Sequence, residues 1–391
     1  MSLLTQRQAG CPFDPAPELA RLRAEQPVSP LTYPDGHEGW LVTSHALVRE
    51  VLSDPRLSHK AELLHNPLTG VGISDKPQPA PPGAFTAMDP PEHTRYRQLL
   101  TGQFTVRRMR RLTERIEQVT AERLDAMQEQ GPPVDLVQAF AVPIPGQVMC
   151  ELLGVPDGDR SRFYDEMAVL GRMDVSPEDK AATFMSLRGY VAELIHAKRA
   201  NPTDDLLSGL AGSSDLTDDE LATIGFILVG AGLDTTANMI SLGAYALMSH
   251  RDQIPALRRR GAIEELLRYL SIIPAGVRAA LEDLELGGVQ IKAGQSVTVS
   301  IPAANRDPQH FAEPDTLDLH RSASGHVAFG HGIHQCLGQQ LARVEMEVAL
   351  PALFDRFPTL RLAVPEGEVP LRDDMLIYGL YGLPVTWDPT M

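Results

Sequence analysis

From Leu221 to Met248 the chain is apolar almost throughout. A run of that length has two homes, a bilayer or the middle of a large globular core. It opens on Thr217-Asp218-Asp219-Glu220, a capping box in which threonine and glutamate satisfy each other's backbone N–H groups. A helix from there to about Ser249 would rise ~48 Å, the breadth of a whole domain. Asp234 lies near its middle with Thr235, Thr236 and Asn238 beside it, and a charge at bilayer depth is costly. The run therefore reads as the central helix of a globular core. One stretch of it works against its own stability: Ala231-Gly232 precedes Asp234 and Thr235, and a helical glycine costs roughly 1 kcal/mol against alanine. Small residues fit there if something large lies against the backbone. A helix crossing with glycine at the contact and a hydrogen-bonded aspartate is the alternative.

A core of that depth needs a long chain. The 391 residues are 43% hydrophobic, enough for a substantial interior, and length alone would suggest two or three domains. The 35 Lys and Arg against 51 Asp and Glu leave a net charge of -16, which argues against nucleic acid as a partner. Cys11, Cys150 and Cys336 are too few and too scattered for a disulfide framework and fit a reducing cytoplasm. Met1 to Pro12 has no apolar stretch of signal-peptide type, so neither secretion nor an N-terminal anchor is indicated.

Periodicity predicts helices over Glu18 to Glu25, Ala46 to Leu52, Glu114 to Gln130, Asp157 to Leu170 and Ala262 to Leu270, with a Pro-interrupted one from Phe140 to Leu153. Pro91-Glu92-His93 starts another, and Ser176-Pro177-Glu178-Asp179 opens one that runs to about Ala200. Pro55 to Met88 reads as a long loop, the usual form of a lid or binding element. Strands predominate from Ile272 to Ile301, with turns at Gly287-Gly288 and Ala293-Gly294, and the closing Leu360 to Trp387 is strand and turn. Between His93 and Arg123 eight arginines face three glutamates, a basic stretch in an acidic protein. It is either a solvated helix face or a docking patch.

The chemistry concentrates at Phe329-Gly330-His331-Gly332-Ile333-His334-Gln335-Cys336-Leu337-Gly338. Leu337, Leu341, Val344 and Val348 recur at helical spacing, which puts Cys336 at or just before a helix N-terminus. The free N–H groups there favour an anion, and so a thiolate, nucleophile and soft metal ligand. Three readings meet at this turn: a cysteine packed as a small hydrophobe, a zinc site drawing on His326, His331 and His334, and a cofactor ligand. Zinc lacks a second Cys-x-x-Cys knuckle.

The string resembles the cysteine-ligand loop of the haem-thiolate monooxygenases, the cytochromes P-450, whose pattern Phe-Gly-x-Gly-x-His-x-Cys-x-Gly is met at every fixed position. Ala231-Gly232-Leu233-Asp234-Thr235 is similar to that family's (Ala/Gly)-Gly-x-(Asp/Glu)-Thr, Glu265 to Arg268 to its Glu-x-x-Arg, and His93 to Arg97 to its His-x-x-x-Arg. These matches follow family order across nearly the whole chain, without composition breaks or repeats. The resemblance implies one domain over residues 1–391, mainly α with small β-sheets at one side, and haem between the long helix and the cysteine loop.

It further implies a soluble, cytoplasmic bacterial enzyme, bound to neither membrane nor nucleic acid. Cys336 would ligate the iron of haem b, where a thiolate favours O–O cleavage. Ala231, Gly232, Phe329 and Gly338 would lie against the haem, and His93, Arg97, Arg278 and His334 would neutralise its propionates. Asp234 and Thr235 would relay protons, Glu265 and Arg268 would brace the cysteine loop, and Arg108 and Arg111 would dock a ferredoxin, itself fed by a reductase from NAD(P)H. Phe85, Ile227, Ala231, Ile273, Val277, Leu376 and Ile377 are candidate contacts for a hydrophobic substrate, a secondary metabolite such as a polyketide or terpenoid, that O2 hydroxylates or epoxidises. A peroxide-driven haem-thiolate enzyme and a non-catalytic haem sensor are the rivals.

Overall fold

Thr217 caps the long apolar run as expected. Its Oγ1 accepts from Glu220 N at 3.2 Å while its own N–H donates to Glu220 Oε2 at 2.7 Å, and the helix runs Asp218–Ser249. The computed structural model describes residues 3–8, 10–68, 78–171, 175–213, 215–372 and 377–388. Every residue of the central helix from Thr236 to Leu247 is buried. Helices Pro143–Leu153, Pro177–Ala200 and Gln339–Arg356 pack around it, the globular-core placement expected of it. Its first turn is pinned to helix Glu92–Thr101, where Tyr96 Oη and Arg95 donate to Glu220 Oε1 at 2.6 and 2.7 Å. Burial raises the Glu220 carboxyl, but these donors and Thr217 outweigh it and hold it at about 2.

Gly232 belongs to a helix crossing. A Cβ there would stand 2.5 Å from Met149 Sδ on Pro143–Leu153, so the neighbouring helix reaches this glycine through the end of a flexible side chain. Glu345, on Gln339–Arg356, is buried and hydrogen-bonded to Thr236 of the central helix. Burial pushes its carboxyl up to about 8 from an ordinary 4.5. Its stabilising contribution is therefore complete below about pH 4.5 and is lost as pH rises toward 8. Glu345→Gln, a neutral mimic of the protonated acid, is expected to stabilise the fold by on the order of 3 kcal/mol at neutral pH and to be silent at pH 4. Thermal midpoints of both proteins at the two pH values check this.

Helix Val106–Gln130 begins eight residues before Glu114, capped by Thr105 Oγ1, which accepts from Arg108 N at 3.2 Å. Its arginine-rich first turns bury nothing before Leu112, so they carry no apolar period. The Pro-interrupted helix is a π-turn, Val137–Ala141, followed by Pro143–Leu153. Helices Leu206–Ser213 and Ile301–Asn305 are additions to the sequence expectation.

The β-structure gathers on one side. Five strands lie in the order Val28–Thr32, Glu38–Val42, Ser296–Ser300, Ala275–Ala280, Leu57–Ser58, and only the second and third run parallel. Leu57–Ser58, at the head of the expected long loop, is drawn into this sheet by pairing with Ala279–Ala280. The expected turns hold, with φ of +55° and +80° at Gly287 and Gly288 and +85° at Gly294, where only glycine is unstrained.

Candidate active site

The cysteine loop is folded by two left-handed glycines, Gly330 and Gly332, with φ of +71° and +75°. A Cβ on Gly332 would sit 2.6 Å from Leu52 O, so glycine lets the loop close onto helix His45–Ser53. Cys336 N donates to Phe329 O at 2.9 Å, and helix Gln339–Arg356 starts just after, with Gly338 as N-cap. Arg343 reaches back from that helix. Its Nε and Nη2 donate to Glu264 at 2.6 and 3.0 Å, and its guanidinium lies 4.6 Å over the Phe329 ring. His326 Nε2 meets the same carboxylate at 2.9 Å. Two histidines of the zinc reading thus have other partners, since His331 Nε2 faces Arg49 at 3.5 Å.

Cys336 departs from the simple dipole argument. Burial pushes its thiol up, against the pull of the Gly338 N–H and the charge of Arg97. The residue nevertheless keeps open surface.

A second opening lies on the central helix. Ala231 is exposed and Gly232 to Thr235 are half-buried, between the buried Leu228-Val229 and the buried run from Thr236. Ile273 and Val277, leading into and along the strand Ala275–Ala280, are half-buried, as are Ile227 and Ile377. Phe85 is only 3% exposed and packs into the main core. Leu376 lies outside the described residues. Thr235 Oγ1 donates to Ala231 O at 2.6 Å. Asp234 is gripped by Arg372, whose Nη1 and Nη2 reach Oδ1 and Oδ2 at 2.7 and 3.1 Å. Arg372 was not singled out, since it stands in the closing stretch Leu360 to Trp387, expected only as strand and turn.

A cluster of cationic and imidazole side chains gathers at another edge. The His93 and His334 rings lie 4.2 Å apart, and His59 adds a third ring 4.8 Å from His334. Arg278 is 5% exposed, and its Nη1 donates to the carbonyl of its own neighbour Val277 at 2.8 Å. Arg97 Nη2 donates to Gln335 O at 2.5 Å. Burial, then Arg278 and His93, hold the His334 imidazole down at about 3, and burial holds Arg278 down to about 10. His59 Nδ1 and His93 Nδ1 are buried without a partner. The nearby Asp89 is already engaged by Ser58 Oγ at 2.6 Å and His59 N at 2.8 Å. His59 lay in the expected loop, where no pattern marked it.

The brace is deeply buried. Glu265 and Arg268 are both 0% exposed and bond fork to fork at 2.7 and 2.8 Å, which removes the surface-pair alternative. Arg268 Nη1 also donates to Asn305 O and Pro314 O at 2.8 Å, tying helix Ala262–Leu270 to the segment before the cysteine loop. The basic stretch divides. Arg107 and Arg111 are exposed and share Asp204 at 2.6 and 2.8 Å. Arg108, with its side chain only 14% exposed, turns inward to Gln103 O at 2.7 Å and Asp205 O at 3.1 Å. Arg108 is thus corrected from a docking residue to a structural one.

A family model described as cytochrome P-450 matches residues 260–378. The chain is 48% identical to cytochrome P-450 105C1 of a Streptomyces species, over 96% of each chain. The chain belongs to the cytochrome P-450 family. It is also 44% identical to pentalenic acid synthase of Streptomyces avermitilis, over 96% of this chain and 95% of that one. The crystal structure of CYP105P1 in complex with filipin I matches this P-450 with a TM-score of 0.90 at 40% identity, over 100% of both chains.

As a cytochrome P-450 the protein is a haem-thiolate monooxygenase, and its own residues fit that cofactor. Two imidazoles with a buried, unpartnered Nδ1 and a buried arginine that bonds its own neighbour's carbonyl suit anionic oxygens, which haem carboxylates supply. Cys336 adds a sulfur on a residue with open surface, and the central helix is bared where a flat group would lie.

Proposed function

We propose that this cytochrome P-450 inserts one atom of O2 into a hydrophobic secondary metabolite, by hydroxylation or epoxidation, with two electrons from a ferredoxin that a reductase recharges from NAD(P)H. The observation that carries the reading is the acid and alcohol pair, Asp234 and Thr235, at the bared stretch of the central helix. Haem b, when bound, would supply the iron chemistry that divides O2 between substrate and water. Cys336 would hold that iron through its thiolate, and Arg97, Arg278, His93, His334 and His59 would neutralise the propionates. Thr235 releases Ala231 O to hold a water in line, and Asp234 passes a proton from the solvent side to that water. Ile227, Ala231, Ile273, Val277 and Ile377, closed off by Phe85, exclude bulk water and select an apolar substrate.

Arg111, with Arg107 beside it, supports docking of an acidic ferredoxin through charge complementarity. The relatives named for pentalenic acid and for nocardicin C N-oxygenation, and the structure holding filipin I, support a secondary metabolite. The whole chain, residues 1–391, acts as one catalytic domain in the cytoplasm. A peroxide-driven enzyme has no use for a proton relay, and a haem sensor needs neither relay nor substrate slot. Turnover with O2, ferredoxin and reductase, set against peroxide alone, separates the three. Thr235→Ala is expected to lower product formed per NAD(P)H by about tenfold or more, with peroxide released instead. Unchanged coupling would rule out the relay.

A further inference from the structure

The acid of the relay is bound on all sides by partners that no family motif named. Asp234 Oδ1 accepts from Arg372 Nη1 at 2.7 Å and from Asn238 Nδ2 at 3.1 Å, while Oδ2 accepts from Arg372 Nη2 at 3.1 Å. Arg372 stands 138 residues further along the chain. Its side chain is 9% exposed, and its Nε has no hydrogen-bond partner. Burying a guanidinium with one donor unpaired is unfavourable, and the feature that compensates is the two-pronged bond to Asp234.

The segment carrying Arg372 is itself clamped to the same turn of the central helix. Leu371 and Leu380 form an antiparallel bridge, and Arg372 N donates to Gly379 O at 2.8 Å, which pairs Leu371-Arg372 with Gly379-Leu380 as the stem of a hairpin. Leu380 N donates to Asn238 Oδ1 at 3.2 Å, and Asn238 Nδ2 returns to Asp234 O at 2.8 Å. A Cβ on Gly379 would lie 1.7 Å from Asn238 Oδ1, so only glycine permits that approach. The hairpin therefore touches the acid through Arg372 and the helix through Asn238. Thr235 meanwhile donates to Ala231 O. Acid and alcohol are thus held on separate partners. A two-pronged bond can open one prong and keep the other as a pivot, which a point charge cannot do.

We propose that Arg372 is a positioning residue for oxygen activation, holding the Asp234 carboxylate by both oxygens in the plane from which it serves Thr235 and tying it to the C-terminal hairpin. The inference rests on the monooxygenase reading above. Its test uses haem-loaded protein with ferredoxin, reductase and NADPH, and 7-ethoxycoumarin as an apolar probe. R372Q and R372K are made alone and in a D234N background. R372Q is expected to release about threefold more peroxide per NADPH than the parent, R372K to fall between them, and R372Q to add nothing once Asp234 is gone. Independently of turnover, the Leu380 amide is expected to exchange with deuterium about tenfold faster in both R372Q and D234N. Should R372Q fail to accumulate as holoprotein, R372K carries the same comparison. A loss from R372Q that persists undiminished in D234N overturns the proposal, as does intact coupling with a freed hairpin. Intact coupling in D234N alone would instead bring down the relay reading, and the role of Arg372 with it.

Discussion

Cys336→Ala is expected to give a protein that still takes up haem but shows none of the red-shifted Soret band of the reduced carbon monoxide complex and no turnover. The two readouts separate because the proposed anchors of the cofactor are of two kinds. The substitution removes the thiolate proposed to hold the iron, and alanine offers no ligand in its place. The imidazoles and guanidinia of His59, His93, His334, Arg97 and Arg278 remain, and charge-assisted bonds from such groups are the strong ones. Haem content should therefore fall in part while the thiolate signature vanishes. Survival of the band in the variant would remove Cys336 from the iron.

The second large effect belongs to a residue that touches no reactant. Arg268→Ala leaves Glu265, 0% exposed, without its fork-to-fork partner. Two carbonyls, of Asn305 and Pro314, lose the donor that reached both at 2.8 Å. Arg321 Nε and Asp318 N, each 3.1 Å from Glu265 Oε1, hold one oxygen only. Breaking such a buried pair costs about 3–5 kcal/mol, a large share of the roughly 5–15 kcal/mol that keeps a domain folded. The thermal midpoint is expected to drop by on the order of 5–10 °C, with haem lost early because the loop before Cys336 is braced by these bonds. Arg268→Lys should rescue little, since an ammonium cannot serve the carboxylate and two carbonyls together. A midpoint within a degree of the parent would show that the brace is dispensable.

Legibility followed the range of the interaction. The capping box at Thr217 and the helix it launches were readable because their bonds join residues three or four apart. The loop around Cys336 was readable because left-handed turns demand glycine at Gly330 and Gly332. Gly232 shows the limit. Its smallness was visible, yet only the tertiary packing shows that Met149 of a neighbouring helix reaches it. Arg108 shows the same limit for charge. It was one of a row of arginines, and its inward turn to Gln103 and Asp205 depends on how a neighbouring segment docks.

The sequence by itself determined the family, the central helix, the cysteine loop proposed to hold the iron and the acid and alcohol on the bared stretch of that helix. Each is written in a few contiguous residues whose chemistry or backbone geometry admits little substitution. Only the tertiary structure decided that His59 joins the imidazole and arginine cluster, that Arg108 turns inward from the basic stretch, and that Arg372 grips Asp234 from 138 residues away. Those choices are made by side chains that are ordinary where they stand in the chain. They acquire a role only when burial removes water and leaves a distant partner as the one available counter-charge.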